Sequence, residues 1–345
     1  MTSFQNPFIA TLNGQSAMRP PVWFMRQAGR VLPNYLKLKA NHTFAGLLED
    51  ADLAARVTLL PIDDLGVDAA ILFSDILVVP QALGMQLDFT DHGPVFGTPL
   101  HRAANPLAGL KADASKLEHV YRAIDRIVAT RNPNTPLIGF CGAPLTVFCF
   151  MFRDNVRDIT FKHAIEFLYK ERHQAEIILD ALTDMSIEYA LNQVKHGVDA
   201  FQLFETYGGL IPQDLYVDLI LPRAARILQA VRGAGVKTIY LPKDLGYGIT
   251  AITPEMTDFV SIDWHMPLAT ARQLVHPAIG LQGNLDPRLL YASQPVIEKE
   301  LEKYLAFGRI HHDWIFNLGH GLLPDIPFEN VKFVVDWVKQ ASWNR

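Results

Sequence analysis

Two arginines follow the apolar run 21–25 on either side of a short turn. Arg26 and Arg30 are separated by a Gln-Ala-Gly segment, and its Gly29 would let the chain turn tightly so that both side chains face one pocket. Each guanidinium presents a planar fork of donors that suits a carboxylate or a phosphate, and it stays charged at any working pH. Because the whole chain has a net charge of −5, this pair indicates an anionic ligand.

Asp75 follows a second apolar run, 69–73, and brings the opposite charge to the same kind of position. Its carboxylate could pair with an arginine, or it could bind a cation or a group rich in N–H donors. A pocket that combines this aspartate with the two arginines suits a polyacid that also carries nitrogen heterocycles.

The sequence contains eight short apolar runs, and the first two end just before Arg26 and Asp75. Continuous rather than alternating apolar character is typical of parallel strands covered on both faces, and amphipathic helical stretches separate most of the runs. The runs are 21–25, 69–73, 136–140, 200–204, 237–241, 259–263, 279–283 and 314–318. They predict an α/β fold, a (β/α)8 barrel of the TIM type in a single domain of residues 1–345. A doubly wound sheet is the alternative.

The stretch 86–115 is polar and rich in glycine and proline, which predicts a long loop or hairpin insertion after strand two. In such a barrel the working residues lie at the C-terminal ends of the strands. Those ends carry polar residues that are expected to line one cavity: Arg26, Arg30, Ser74, Asp75, Glu205, Thr206, Lys243, Asp244, Asp263, His265, Asn284, Asp286, Asn317 and His320.

Composition argues against several other classes of protein. The chain is 49% hydrophobic and 19% charged, yet no apolar run approaches the ~18 residues that a membrane span needs. Its mild acidity and its lack of a Lys/Arg-rich tract argue against nucleic acid as a partner. The first residues lack the basic and apolar regions of a signal peptide. The two cysteines, Cys141 and Cys149, lie in or beside apolar stretches, so no disulfide framework is expected and a reducing cytoplasm fits.

Several motifs together resemble the uroporphyrinogen decarboxylase family. PVWFMRQAGRVLPNY at 21–35 and NLGHGLLPDIPFENV at 317–331 are the most specific, and further motifs extend the likeness over nearly the whole chain. The resemblance implies a distorted (β/α)8 barrel that removes carbon dioxide from the four acetate side chains of uroporphyrinogen III and gives coproporphyrinogen III. It also implies a cytoplasmic homodimer that uses no metal and no organic cofactor.

The resemblance also assigns roles to individual residues. Asp75 falls on the aspartate that meets the pyrrole N–H groups and stabilises the transition state. Phe150 stands where the family has a tyrosine, so this chain keeps the ring and lacks the hydroxyl there. Substrate contacts are expected from Arg26, Gln27, Ala28, Gly29, Arg30, Asp75, Phe150, Thr206 and His320.

The implied reaction needs an electron sink, because loss of carbon dioxide leaves an electron pair on an already electron-rich pyrrole. Protonating the adjacent pyrrole carbon creates a cationic ring, which an ionised Asp75 would stabilise. An arginine-polarised water, His320 and Asp75 itself are the candidate proton donors.

Two other functions remain open from the sequence. Zinc-dependent cobalamin methyltransferases of the same superfamily need a His-x-Cys pair and a later cysteine, and neither Cys141 nor Cys149 follows a histidine by two positions. A non-catalytic tetrapyrrole carrier is the second alternative. Phe150 suggests it, whereas the intact arginine pair and Asp75 argue against it.

Overall fold

The computed structural model describes residues 6–90 and 93–345. Its strands are β1 (Ala70–Ile71), β2 (Leu87–Thr90), β3 (Gly93–Phe96), β4 (Leu137–Gly142), β5 (Ala200–Glu205), β6 (Lys237–Pro242), β7 (Phe259–Ser261), β8 (Gly280–Gln282) and β9 (Trp314–Ile315). Seven of them form one parallel sheet in the order β1-β4-β5-β6-β7-β8-β9. β2 and β3 pair in an antiparallel hairpin. The strands therefore lie where the apolar runs predict them, with one exception.

The exception is the first predicted strand, 21–25, which lies between β9 and β1 without forming a regular ladder. Val22 makes an isolated parallel bridge to the residue after β9, and its carbonyl accepts a hydrogen bond from Asp68 N at 2.8 Å. The Val22 N–H donates to the Asp68 carboxylate at 2.8 Å, and the N–H groups of Phe24 and Met25 also donate to side-chain oxygens. Side chains thus replace the ladder here, and the sheet closes into the distorted (β/α)8-type barrel that the sequence predicts.

A buried polar chain ties this irregular segment to the barrel interior. Trp23 Nε1 donates to Gln282 Oε1 on β8 at 3.1 Å. Gln282 Nε2 donates in turn to Gln202 Oε1 on β5 at 3.1 Å and to Ser261 Oγ on β7 at 3.0 Å. These side chains are almost completely buried, so each hydrogen bond offsets the cost of removing a polar group from water.

Helices cover the outside of the sheet. They are α1 (Pro7–Leu12), α2 (Pro33–Lys39), α3 (Phe44–Glu49), α4 (Ala51–Asp64), α5 (Val78–Ala82), α6 (Glu118–Thr130), α7 (Pro144–Met151), α8 (Lys162–Lys170), α9 (Arg172–Lys195), α10 (Gln213–Leu215), α11 (Leu221–Gly233), α12 (Leu268–Leu274), α13 (Gln294–Leu301), α14 (Lys303–Ile310) and α15 (Phe328–Gln340). Short 3-10 helices occupy Leu100–Arg102, Ala114–Leu117, Gly208–Leu210, Gly246–Ala251 and Pro287–Tyr291, and a π-helix covers Tyr216–Ile220.

Local sequence explains how these helices begin and pack. The Asp50 carboxylate accepts hydrogen bonds from the N–H groups of Asp52 and Leu53, which caps α4. In α6, buried residues recur at helical spacing and form one apolar face: Val120, Tyr121, Ala123, Ile124 and Ile127. Among the described residues, no helix combines the length and apolarity needed to cross a membrane.

The predicted insertion after strand two is present as the hairpin β2–β3, followed by the 3-10 helix Leu100–Arg102. The regular alternation of strand and helix weakens later in the chain. Only the 3-10 helix Gly246–Ala251 connects β6 to β7, and only the short helix α12 connects β7 to β8. Both cysteines are buried and free, as expected from the sequence.

Candidate active site

A cleft of about 720 Å³ opens at the carboxyl ends of β1, β4 and β5 and beside the irregular segment that closes the barrel. This volume is typical of small-molecule sites, which span ~300–1,000 Å³. Its walls are mostly apolar and aromatic, with a few charged groups. Among the described residues that line it, the charged groups are Arg26, Arg30, Asp75 and Arg153.

The cleft brings together all the predicted site residues except Gln27. Those that line it are Arg26, Ala28, Gly29, Arg30, Asp75, Phe150, Thr206 and His320. The two arginines of the first motif, the aspartate after β1 and the histidine of the last motif thus share one cavity, although they lie far apart in the sequence.

Arg26 occupies an unusual backbone conformation beneath the cleft. Its φ of 63° lies in the left-handed region that side-chain-bearing residues rarely adopt, and such strain concentrates at functional sites. The positive φ thus falls on Arg26, whereas the turn was expected to depend on Gly29. Its side chain is open to the cleft, yet protein surrounds it. This desolvation lowers its pKa, while Tyr207 and Asp75 oppose that shift.

Gln27 is placed differently from the other residues of its motif. Its side chain is completely buried, with Oε1 accepting from Phe24 N at 2.9 Å and Nε2 donating to Ala69 O at 2.9 Å. The side chain therefore fastens the turn that carries Arg26 to the chain that leads into β1. We assign Gln27 to positioning the motif, and the predicted direct substrate contact does not fit this location.

Asp75 begins the turn between β1 and α5. Its Oδ1 accepts a hydrogen bond from Leu77 N at 2.8 Å, and no described residue donates to Oδ2. Burial raises the pKa of this carboxyl, and the Leu77 N–H, Arg26 and Arg153 counteract the rise. Asp75 thus holds one oxygen in a fixed direction, and its other oxygen can accept a hydrogen bond from a ligand.

His320 lies in the cleft as a neutral imidazole. Burial lowers its pKa to about 3, and the positive charges of Arg26, Lys243 and Arg288 add to this effect. Its Nδ1 is buried and has no hydrogen-bond partner among the described residues. A neutral imidazole has one N–H that can donate a hydrogen bond and one nitrogen that can accept one. It cannot serve as an imidazolium acid near neutral pH.

Aromatic rings form one wall of the cleft. Phe150 packs edge to face against Phe161 and Tyr207, with ring centroids 5.7 and 5.9 Å away, and Phe161 and Tyr207 lie 4.5 Å apart. Arg153 lies over Phe150, with its guanidinium carbon 4.4 Å from the ring centroid. Sequence reasoning missed Arg153 and Tyr207 as cleft residues. Arg153 lies outside the motifs, and Tyr207 lies within the motif FQLFETYGG at 201–209 but was expected only to pack.

Thr206 projects from the end of β5 next to a buried acid. Glu205 is fully buried and accepts hydrogen bonds from the hydroxyl and N–H of Thr146 and from Leu145 N. Burial raises the pKa of Glu205 to about 7, and these donors limit the rise. Glu205 therefore anchors the start of α7 to β5, while Thr206 faces the cleft.

The expectation that all the strand-end residues share one cavity is wrong for Glu205, which is fully buried, for the residues that follow β6, β7 and β8, and for Asn317. Asp244, Asp263 and His265 line a separate cavity of about 230 Å³, and Lys243 pairs with Asp244. The remaining side chains bond to nearby backbone: Asn284 to Asp263 and Met266, Asp286 to Arg288, and Asn317 to Met25 and Leu318. The connections around β7 and β8 are short, so the side chains at the ends of these strands meet backbone groups instead of the cleft.

Two histidine–carboxylate groups lie close together within the described part of the chain: His101, Asp154 and His163, and Asp244, Asp263 and His265. In the first group the imidazoles stack 3.9 Å apart, and their Nε2 atoms face the Asp154 carboxylate at 3.0 and 3.4 Å, a carboxylate that also pairs with Arg102. In the second group both Asp263 oxygens accept backbone N–H groups. Burial raises the pKa of both cysteine thiols, which opposes a thiolate site.

Solved structures with a similar fold include a methyltransferase from Methanosarcina mazei. It has a TM-score of 0.78 and 19% sequence identity, and the match covers 97% of each chain. A B12-independent methionine synthase from a Shewanella species has a TM-score of 0.57 and 12% identity over 84% of this chain and 88% of its own. At such low identity these structures establish the shared fold and nothing about activity.

Sequence comparison is more specific. The family model described as uroporphyrinogen decarboxylase (URO-D) matches residues 3–341. A uroporphyrinogen decarboxylase from Pelobacter propionicus is 38% identical over 339 residues, covering 97% of this chain and 98% of the relative. One from Geobacter metallireducens is 37% identical over 341 residues, covering 98% and 99%. The chain belongs to the uroporphyrinogen decarboxylase family.

Proposed function

We propose that this chain is a carboxy-lyase that removes carbon dioxide from the four acetate side chains of uroporphyrinogen III and so forms coproporphyrinogen III. The observation that carries the proposal is the meeting of Arg26, Arg30 and Asp75 in one cleft. Guanidinium forks suit the carboxylates of the substrate, and a carboxylate suits its pyrrole N–H groups.

The reaction divides into steps that these residues can support. A proton adds to the ring carbon beside the acetate, which gives a cationic pyrrole. The bond between the acetate methylene and its carboxylate then breaks, the electron pair neutralises the ring, and carbon dioxide leaves. Protonation of the exocyclic carbon and loss of the ring proton complete the methyl group, so each cycle consumes one proton per carbon dioxide.

Asp75 is the group that stabilises the cationic ring. Preorganised charge in a desolvated site is commonly the largest catalytic contribution, and Arg26 favours the ionised carboxylate that this role requires. His320 is neutral here, so it orients substrate by a hydrogen bond and does not act as an imidazolium donor. An arginine-polarised water and Asp75 itself remain as sources of the proton.

The test is product analysis after anaerobic incubation with uroporphyrinogen. We expect the wild type to release carbon dioxide and form coproporphyrinogen, and we expect Asp75→Asn to lower kcat by about 10²–10³. Asp218→Asn, at an exposed position outside the cleft, is the matched control and should keep full activity. Tight binding of uroporphyrinogen without carbon dioxide release would refute the proposal and indicate a tetrapyrrole carrier instead.

We also propose that residues 1–345 act as one catalytic unit, without a metal or an organic cofactor, in a cytoplasmic homodimer. A dimer interface would bury some of the large apolar side chains that are exposed in the single chain, such as Met18, Ile159, Tyr247 and Ile310. Free, buried cysteines are compatible with a reducing compartment.

A further inference from the structure

The cleft contains a third arginine that no motif includes. Arg153 follows the C-terminal end of α7, is half-buried, and lines the cleft together with Arg26 and Arg30. Asp75 is the only carboxylate among the described residues that line this cleft. The cleft therefore holds an excess of positive charge before any substrate enters.

Among the described residues, Arg153 is held in place without an ion-pair partner. Its guanidinium lies 4.4 Å from the centroid of the Phe150 ring, and one terminal nitrogen donates to Pro94 O on β3 at 3.3 Å. Within the described parts of the chain, 6–90 and 93–345, no carboxylate forms a salt bridge with it; Asp158 and Asp75 act on it only at longer range. The ring and the carbonyl fix its position, and most of its donors have no partner in the described parts of the chain.

Its surroundings strengthen an interaction with an anion. Burial lowers the pKa of Arg153, which reflects the loss of water around the charge. The Tyr207 ring packs beside Phe150, and the positive charges of Arg153 and Arg26 act on the Tyr207 hydroxyl. A partly desolvated guanidinium with free donors is a strong site for a carboxylate, because electrostatic attraction grows as water is excluded.

We propose that Arg153 binds a carboxylate of the substrate and is a further substrate-binding residue of this enzyme. The inference rests on the proposed function, which supplies a macrocycle with carboxylates around its whole perimeter. In this arrangement Phe150 is the platform that holds Arg153 over the cleft. A ring without a hydroxyl is sufficient for that purpose, because the cation contacts the face of the ring.

The test separates binding from chemistry in Arg153→Gln and Arg153→Lys. Removing a charge-assisted hydrogen bond from a bound substrate should raise KM for uroporphyrinogen about tenfold to hundredfold in Arg153→Gln, with kcat within about threefold of the wild type. Lysine keeps the charge but not the planar fork, so Arg153→Lys should give an intermediate KM. Arg157→Gln is the matched control, because Arg157 is exposed on the adjacent turn and does not line the cleft.

Anaerobic equilibrium binding of uroporphyrinogen gives a second readout that needs no turnover. Weaker binding by Arg153→Gln than by Arg157→Gln supports the inference even if the wild type releases no carbon dioxide, a result that would overturn only the proposed decarboxylation. An unchanged KM and unchanged binding in Arg153→Gln, or equal losses in Arg157→Gln, would overturn the role of Arg153. A wild type that neither binds nor converts uroporphyrinogen would overturn both proposals.

Discussion

Replacing Gly321 by alanine would test whether Arg26 must occupy its observed position. A β-carbon at residue 321 would lie 2.4 Å from Cδ and 2.6 Å from Cγ of Arg26. Non-bonded carbon atoms normally approach no closer than about 3.5–4.0 Å, so one side must move by about 1 Å. The backbone is less free to move, because Leu322 N donates to Met25 O at 2.9 Å directly beside this contact. The side chain of Arg26 is therefore expected to shift.

The size of the effect follows from this displacement. Misplacing a substrate-positioning group by about 1 Å can cost about 10²-fold in rate. We expect kcat/KM of Gly321→Ala to fall by about that factor, which corresponds to about 2.7 kcal/mol of transition-state stabilisation. Gly321 does not have a positive φ, so alanine can adopt its backbone conformation and the fold should persist.

The assay is anaerobic conversion of uroporphyrinogen followed by chromatography of the oxidised porphyrins, together with thermal unfolding of each variant. Gly233→Ala, at the end of α11, is the matched control because a β-carbon there would meet nothing within 4 Å in the described structure. A folded Gly321→Ala enzyme with kcat/KM within about threefold of the wild type would contradict the requirement for the observed Arg26 geometry.

Two further predictions concern residues around the cleft. Burial raises the pKa of Glu205 from 4.5 to about 7, so between pH 4.5 and pH 7 the folded chain keeps a proton that the unfolded chain has lost. The free energy of unfolding should therefore fall by about 3 kcal/mol as the pH rises through this range. Denaturant unfolding across this range should show a weaker pH dependence in Glu205→Gln, and an unchanged slope would exclude Glu205 as the cause. Phe150→Tyr should leave turnover unchanged or faster, because the ring that supports Arg153 is kept; a loss above about tenfold in the porphyrin assay would contradict this role.

The sequence predicted the strands well, because buried parallel strands leave a direct signature in runs of apolar residues. The segment 21–25 was apolar for the same reason, yet it makes only a bridge at Val22. Its donors are taken by side chains such as Asp68, which lies more than forty positions away in the chain. Hydrophobic pattern reports burial and does not report which partner a backbone N–H will find.

The candidate site divides along similar lines. Motifs that lie at strand ends indicated Arg26, Arg30, Asp75 and His320, and the fold brings them into one cleft. Gln27 belongs to the same motif, but its side chain points into the protein and holds backbone groups. A motif identifies residues that act together. Whether a given residue lines the cleft or holds the backbone in place depends on the direction of its side chain, which the motif does not show.

The charges of the cleft are better understood together than one by one. Three arginines face one aspartate among the described lining residues. Burial keeps His320 neutral, and one of these arginines, Arg26, adds to that effect together with Lys243 and Arg288. A substrate that carries many carboxylates would neutralise the arginines when it binds. Asp75 would then be the anion that the protein itself places beside the substrate. In the proposed reaction the cationic ring would thus meet a carboxylate held in place by Leu77 N, while the arginines would be occupied by the substrate's own acid groups.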